Sequence, residues 1–111
     1  MNDRINALVA PNPHALEEAR AADAAVRAGA SLGVLHGVPF SVKDILDVAG
    51  LVGAAGVEKR REHVAERDAT VVARMRAAGA IVLGKTNTPP YGGGGVTDNP
   101  VHGRTNHPLD A

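Results

Sequence analysis

The sequence predicts an α/β layer, on three observations. A helical apolar period ending at Gly79 runs straight into a short continuous apolar stretch at residues 80–83, the order of a helix feeding a strand that is covered on both faces. A second apolar stretch, residues 38–42, is bounded by Gly37 and by the charged pair Lys43-Asp44, as strands are bounded by turn and polar residues. A further helical pattern lies ahead of both, between Asn12 and Gly29.

Each element has its local reason. Asn12 suits the N-cap and Pro13 the first helical position, where a missing N–H costs nothing. Leu16, Ala19, Ala22, Asp23 and Val26 recur near the helical period, and Gly29 offers the left-handed stop. Glu17 and Glu18 fall early and Arg27 late, the signs that complement the helix dipole. Pro39 confines the strand over 38–42 to an edge or to its own start. The charge run of residues 58–67 reads as a solvated turn or surface helix. Asp68 is the expected cap of the next helix, with Val71, Val72, Met75 and Ala78 as its buried stripe and Gly79 as its end. Residues 84–111 hold Pro89, Pro90, four consecutive glycines, Pro100, Gly103 and Pro108. No periodic element is predicted there, so this tail is expected either to wrap a surface that the chain lacks or to be disordered.

Composition narrows the function. The 111 residues suffice for one small domain. Apolar residues make up 44% with one Phe, one Tyr and no Trp, so the core is expected to be built of methyl groups and valines. Twelve basic residues balance twelve acidic ones, which removes long-range attraction to nucleic acid or anionic membrane. The absence of cysteine excludes disulfides, thiolate metal sites and a cysteine nucleophile. Apolar runs are far shorter than a bilayer span, and residues 1–11 carry no signal-peptide core. The expectation is a soluble, cytoplasmic protein.

Two motifs invite chemistry. Residues 79–86 satisfy the phosphate-loop pattern G-x-x-x-x-G-K-[ST] letter by letter. That mechanism needs a strand before the first glycine and a helix at the lysine, whereas here a helix precedes Gly79 and prolines follow Thr88. The pattern is read as coincidence; ATP affinity lost in Lys85→Ala would reverse that. Histidines 36, 63, 102 and 107 are scattered without metal-ligand spacing, so no metal site is expected. Lys43 is different. Period 2 places it with Pro39 and Ser41, opposite Val38, Phe40 and Val42. It is either a solvated charge that ends the strand or, if that face is covered, a desolvated lysine with a lowered pKa that serves as a general base. Ser41 shares its face but lacks the Gly-rich surroundings that supply oxyanion-stabilising amides, and is not nominated as a nucleophile.

Residues 35–44, Leu-His-Gly-Val-Pro-Phe-Ser-Val-Lys-Asp, resemble the lysine strand of the amidase signature family of serine hydrolases. The likeness continues through residues 47–51, 68–80, 84–87 and 97–106, in unbroken order from Ile5 onward. The resemblance implies an α/β/α three-layer sandwich around a mixed sheet, with this chain as the N-terminal portion of a single amidase domain. Residues 1–34 would form a helical part, 35–83 the strand-loop-helix-strand bearing the lysine, and 84–111 a Gly/Pro-rich pocket loop.

The resemblance also implies a mechanism. Members use a Ser–Ser–Lys triad, and only the lysine position is matched here, by Lys43. The neutral lysine takes a proton through a bridging serine, and a second serine attacks the amide carbonyl of a linear carboxamide. Both serines lie C-terminal to the matched part, the second in a Gly-Gly-Ser-Ser-Gly-Gly loop that follows a stretch like residues 106–110. The 111 residues would then supply the base without nucleophile or oxyanion loop, and be inactive alone. Tyr91, Gly92, Gly93, Gly94 and Gly95 are expected to line the acyl side of the pocket, as in one bacterial subgroup, or else to form a flexible turn. Asp44 is expected to anchor Lys43 or to be an ordinary surface carboxylate, and Asp98 to open an Asx-type turn with Asn99 and Pro100. Members often carry an acidic residue in place of Pro90 and small hydroxyl residues near Gly53 and Ala54, which this chain does not. The implied substrate is a small-molecule amide, with no metal or organic cofactor and a possible homodimer of the full-length protein. Alternatives are a glutaminase role within a tRNA-dependent amidotransferase and a non-catalytic truncated product.

Overall fold

In the computed structural model, which describes residues 1–110, a three-stranded mixed sheet carries the fold. A four-residue helix, α1 (Asn2–Ile5), leads into β1 (Leu8–Pro11) and α2 (Ala15–Arg27). Then come β2 (Pro39–Lys43), α3 (Thr70–Ala77) and β3 (Ile81–Thr86). The strand order is β1-β3-β2, with β2 parallel and β1 antiparallel to the central β3. The α/β class with a mixed sheet is therefore present, and the helix-to-strand junction at Gly79 is where the sequence puts it. Strand β1 is an addition. Four residues ending in proline carry no alternation to read, and only pairing with β3 makes them a strand.

The core is thin, as composition requires. Val42, Val48, Val72 and Val82 form the buried cluster, with Phe40, Leu51 and Ala69 packed against it. Each buried valine contributes on the order of 2 kcal/mol by area. Of the expected stripe on α3, only Val72 is fully buried; Val71 is 47% exposed. Helix α2 has no buried residue. It turns Ala15, Ala19, Ala22 and Ala25 inward while Leu16 and Val26 stay exposed, so alanines and not the larger residues make its contact face. Such a face allows a helix to approach closely but buries little area.

Two expected caps do other work. Asn12 precedes α2 by three positions; its Oδ1 accepts from the His14 N–H at 3.0 Å and its Nδ2 donates to the Val82 carbonyl at 2.9 Å. It stitches the helix entry to β3 and leaves α2 without a side-chain cap. Asp68 likewise does not cap α3, which starts at Thr70 after Ala69. Its Oδ1 accepts from the Ala49 N–H at 2.7 Å and its Oδ2 lies 3.4 Å from Arg76 Nε, tying the turn after β2 to the helix flank. The charge run of residues 58–67 holds one 3-10 turn, Glu58–Arg60, with an exposed Arg61–Glu58 ion pair at 2.6 Å.

The tail departs most from expectation. Between residues 87 and 106 it is tied to the rest of the fold by side-chain hydrogen bonds. Asn99 Nδ2 donates to Asn87 Oδ1 at 2.7 Å and to the Thr88 carbonyl at 2.9 Å, while Asn87 Nδ2 reaches the Gly103 carbonyl at 3.0 Å. Asn6 Nδ2 donates to the His102 carbonyl at 2.7 Å, and Thr105 Oγ1 to the Asn6 carbonyl at 2.7 Å. Amide side chains replace backbone ladders, so apolar periodicity carries no trace of this order. The Cα radius of gyration is 15.3 Å, against about 13 Å for a compact domain of this length. The chain is a slab, consistent with its exposed Leu16, Val26, Val34 and Leu83.

Candidate active site

Lys43 ends β2 opposite Thr86 of β3. Val42 is buried and Pro39, Ser41 and Lys43 are exposed, so period 2 holds along the strand. Of the two alternatives for this face, the described residues show the open one: α3 packs on the valine face, and the lysine face of β2 is uncovered. Lys43 makes no hydrogen bond or ion pair through its amine among the described residues, and Leu46 N–H donates to its carbonyl at 2.9 Å.

The loop that the resemblance assigns to the pocket does meet this lysine. A Cβ placed on Gly92 would lie 3.3 Å from Lys43 Nζ and 3.4 Å from the Ile45 methyls. Gly92 is the loop position that abuts the amine; Gly93, Gly94 and Gly95 are exposed and turned away from it. Tyr91 adopts a left-handed φ of 52°, with its N–H donating to the Ala55 carbonyl at 2.8 Å and Lys59 Nζ 5.6 Å from its ring centre. Backbone and cation–π contacts thus hold a strained tyrosine immediately before Gly92. Gly92→Ala is expected to lower turnover of the intact protein about tenfold or more, because a methyl group would press on the amine at a φ of 74° that disfavours any side chain. Steady-state kinetics beside the neutral control Gly95→Ala check this; equal rates would refute it.

Asp44 is neither exposed nor directed along Lys43. It is 2% exposed, and its Oδ1 lies 2.9 Å from Nζ of Lys85, which is fully buried. His102 Nε2 sits 3.9 Å from Asp44 Oδ2. Sequence reasoning missed Lys85 for a definite reason. The β2–β3 register slips between Phe40 and Ser41, so Phe40 faces Val82 while Val42 faces Lys85. The bulge at Leu83 puts Lys85 on the same buried face as Val82, three residues apart, where strict alternation opposes them. The phosphate-loop reading ends here as well: Ile81, Val82 and Leu83 are strand, and the lysine is consumed in a buried pair.

Asp98 is exposed and makes no hydrogen bond or ion pair among the described residues. The Asx turn belongs to Asn99, whose Oδ1 accepts from Val101 N–H at 2.9 Å and His102 N–H at 2.8 Å. No cluster of three or more His, Cys, Asp or Glu is placed to hold a metal among the described residues. Burial holds the His102 pKa below its ordinary 6.5, opposed by the Asp44 charge and reinforced by Arg61. The unfolded chain then binds the more protons, so stability is fully present above about pH 6.5 and falls as pH drops below it. His102→Gln is expected to flatten the thermal midpoint between pH 7 and 5; an unchanged slope would count against this.

A family model for Amidase matches residues 1–111. The chain belongs to the amidase family. Indoleacetamide hydrolase of Bradyrhizobium diazoefficiens is 44% identical over 111 residues, covering 99% of this chain and 21% of that protein. A glutamyl-tRNA(Gln) amidotransferase subunit of Bdellovibrio bacteriovorus is 36% identical over 110 residues, covering 99% of this chain and 22% of that one. Among solved structures, the peptide amidase of Stenotrophomonas maltophilia superposes with a TM-score of 0.84 at 35% identity, over 95% of this chain and 22% of its own. The amidase chain described here thus spans about a fifth of the length of these relatives. Its slab of three strands and flanking helices superposes on that peptide amidase. No helix among the described residues is long and apolar enough to cross a membrane.

Proposed function

We propose that the intact protein hydrolyses the C–N bond of a small linear carboxamide, with Lys43 as general base. The observation that carries the reading is Lys43 itself: an amine without an internal partner, at the end of a sheet strand, against Gly92 of the loop that would line the acyl pocket. The amine acts when neutral, taking a proton through a bridging serine while a second serine attacks the carbonyl. Both serines, by resemblance, come from residues beyond these. The lysine face is open among the described residues, and segments of the kind that make up the other four-fifths of the relatives would cover it. Residues 1–34 then add strand β1 and helix α2 to the base-bearing layer, and the loop after β3 lines the pocket, all within one domain with neither metal nor organic cofactor.

The test is a substrate panel. The intact protein is incubated with indoleacetamide, an acyl anilide, a C-terminally amidated peptide and free glutamine, and released ammonia or amine is measured. Turnover of a linear amide is expected, with none from the 111-residue polypeptide alone, which lacks nucleophile and oxyanion loop. Turnover of glutamine that needs charged tRNA partners would favour the amidotransferase reading, for which the 36% identity to the Bdellovibrio protein speaks. No turnover of any of them would favour a non-catalytic product and overturn the proposal.

A further inference from the structure

We propose that Asp44 and Lys85 are a buried positioning pair that fixes the direction in which Lys43 leaves the sheet. The inference rests on Lys43 being the base. The chain buries two charges beside its valine cluster: Lys85, opposite Val42 in the ladder, is fully buried and Asp44 is 2% exposed. Removing two ions from water costs more than their attraction commonly returns, and apolar side chains of similar volume serve stability as well. Stability alone gives little reason for such a pair.

Their placement supplies it. Asp44 follows Lys43 directly and is held to β3 twice: its N–H donates to the Thr86 carbonyl at 3.0 Å, and its carboxylate reaches Lys85 at 2.9 Å. The 2.9 Å contact is bent away from hydrogen-bond alignment, and neither Lys85 Nζ nor either Asp44 oxygen has a hydrogen-bond partner among the described residues. The two groups therefore depend on each other, as charges. His102 Nε2, 3.9 Å from the second carboxylate oxygen, closes the far side. Residue 43 is fixed on one flank by Val42, which pairs with Lys85, and on the other by Asp44, which binds it. With no partner for its own amine, Lys43 takes its aim from this anchored backbone.

The experiment compares Lys85→Met, Asp44→Asn/Lys85→Met and Lys43→Met in the intact protein. Thermal midpoint, kcat and KM are measured on whichever amide of the panel turns over. Lys85→Met strands a buried carboxylate and is expected to lower the midpoint. The double variant removes both charges and is expected to regain most of it, while kcat stays at least tenfold below the parent and KM moves less than threefold. Recovery of kcat together with the midpoint would overturn the inference, since a merely structural pair predicts that outcome. Should the double variant fail to fold, Asp44→Glu keeps the charges but lengthens the tether; parental kcat there would overturn the inference equally. Normal turnover in Lys43→Met would instead remove the reading beneath it.

Discussion

Lys43→Ala is expected to lower amide turnover by about 10³-fold or more, with the thermal midpoint nearly unmoved. The size follows from interdependence. A general base contributes roughly 10²–10⁴-fold, and groups that act as one unit lose nearly everything when one member goes. The small effect on stability follows from the geometry: Lys43 is exposed, its amine makes no ion pair or hydrogen bond among the described residues, and it contributes no area to the valine core. Activity and stability should thus separate cleanly. Lys85→Met provides the contrast, because there both fall. Measured kcat above a tenth of parent in folded Lys43→Ala protein would place the base elsewhere.

Gly84→Ala is expected to destabilise the protein by about 3 kcal/mol or more, enough to lower the melting midpoint by on the order of 10 °C. Gly84 pairs with Pro11 across the β1–β3 ladder at a φ of 147°. A Cβ there would sit 2.4 Å from the Ala10 carbonyl oxygen and 2.7 Å from Pro11 Cα. Both are backbone atoms of the neighbouring strand, so nothing can swing aside. The methyl group must break the pairing or move β1, and with it the Asn12 link to β3. Gly95→Ala meets nothing within 4 Å and is expected to change stability by no more than about 0.5 kcal/mol. Circular-dichroism melts of the two variants decide it; coincident curves would show that β1 does not hold the sheet.

These two residues show how unevenly the sequence can be read. Lys43 stands out because its strand alternates cleanly, with polar and charged groups on one face and Phe40 and Val42 on the other, and the structure keeps that period. Gly84 and Lys85 are visible only as letters of a phosphate-loop pattern. Their true work, a close strand crossing and a buried charge, depends on a partner strand and on a register slip at Leu83. Asp44 is similarly ambiguous: a carboxylate after a strand is ordinarily a surface group, and only Lys85 makes it an anchor. Asp68 and Asn12 are hydrogen-bonding residues near helix starts, as their types suggest, but neither caps its helix and each also binds a backbone group distant in sequence.

By itself the sequence determined the α/β class, the helix-to-strand junction at Gly79, the sparse valine core and the lysine at the end of β2. All of these follow from short-range periodicity, composition and steric preference, which act over a few residues. Only the tertiary structure decided the antiparallel third strand, the amide-knit tail on the N-terminus, the meeting of Gly92 with Lys43 and the burial of Lys85. Each of those joins groups far apart along the chain, through hydrogen bonds and desolvation whose energies exist only once the partners are brought together.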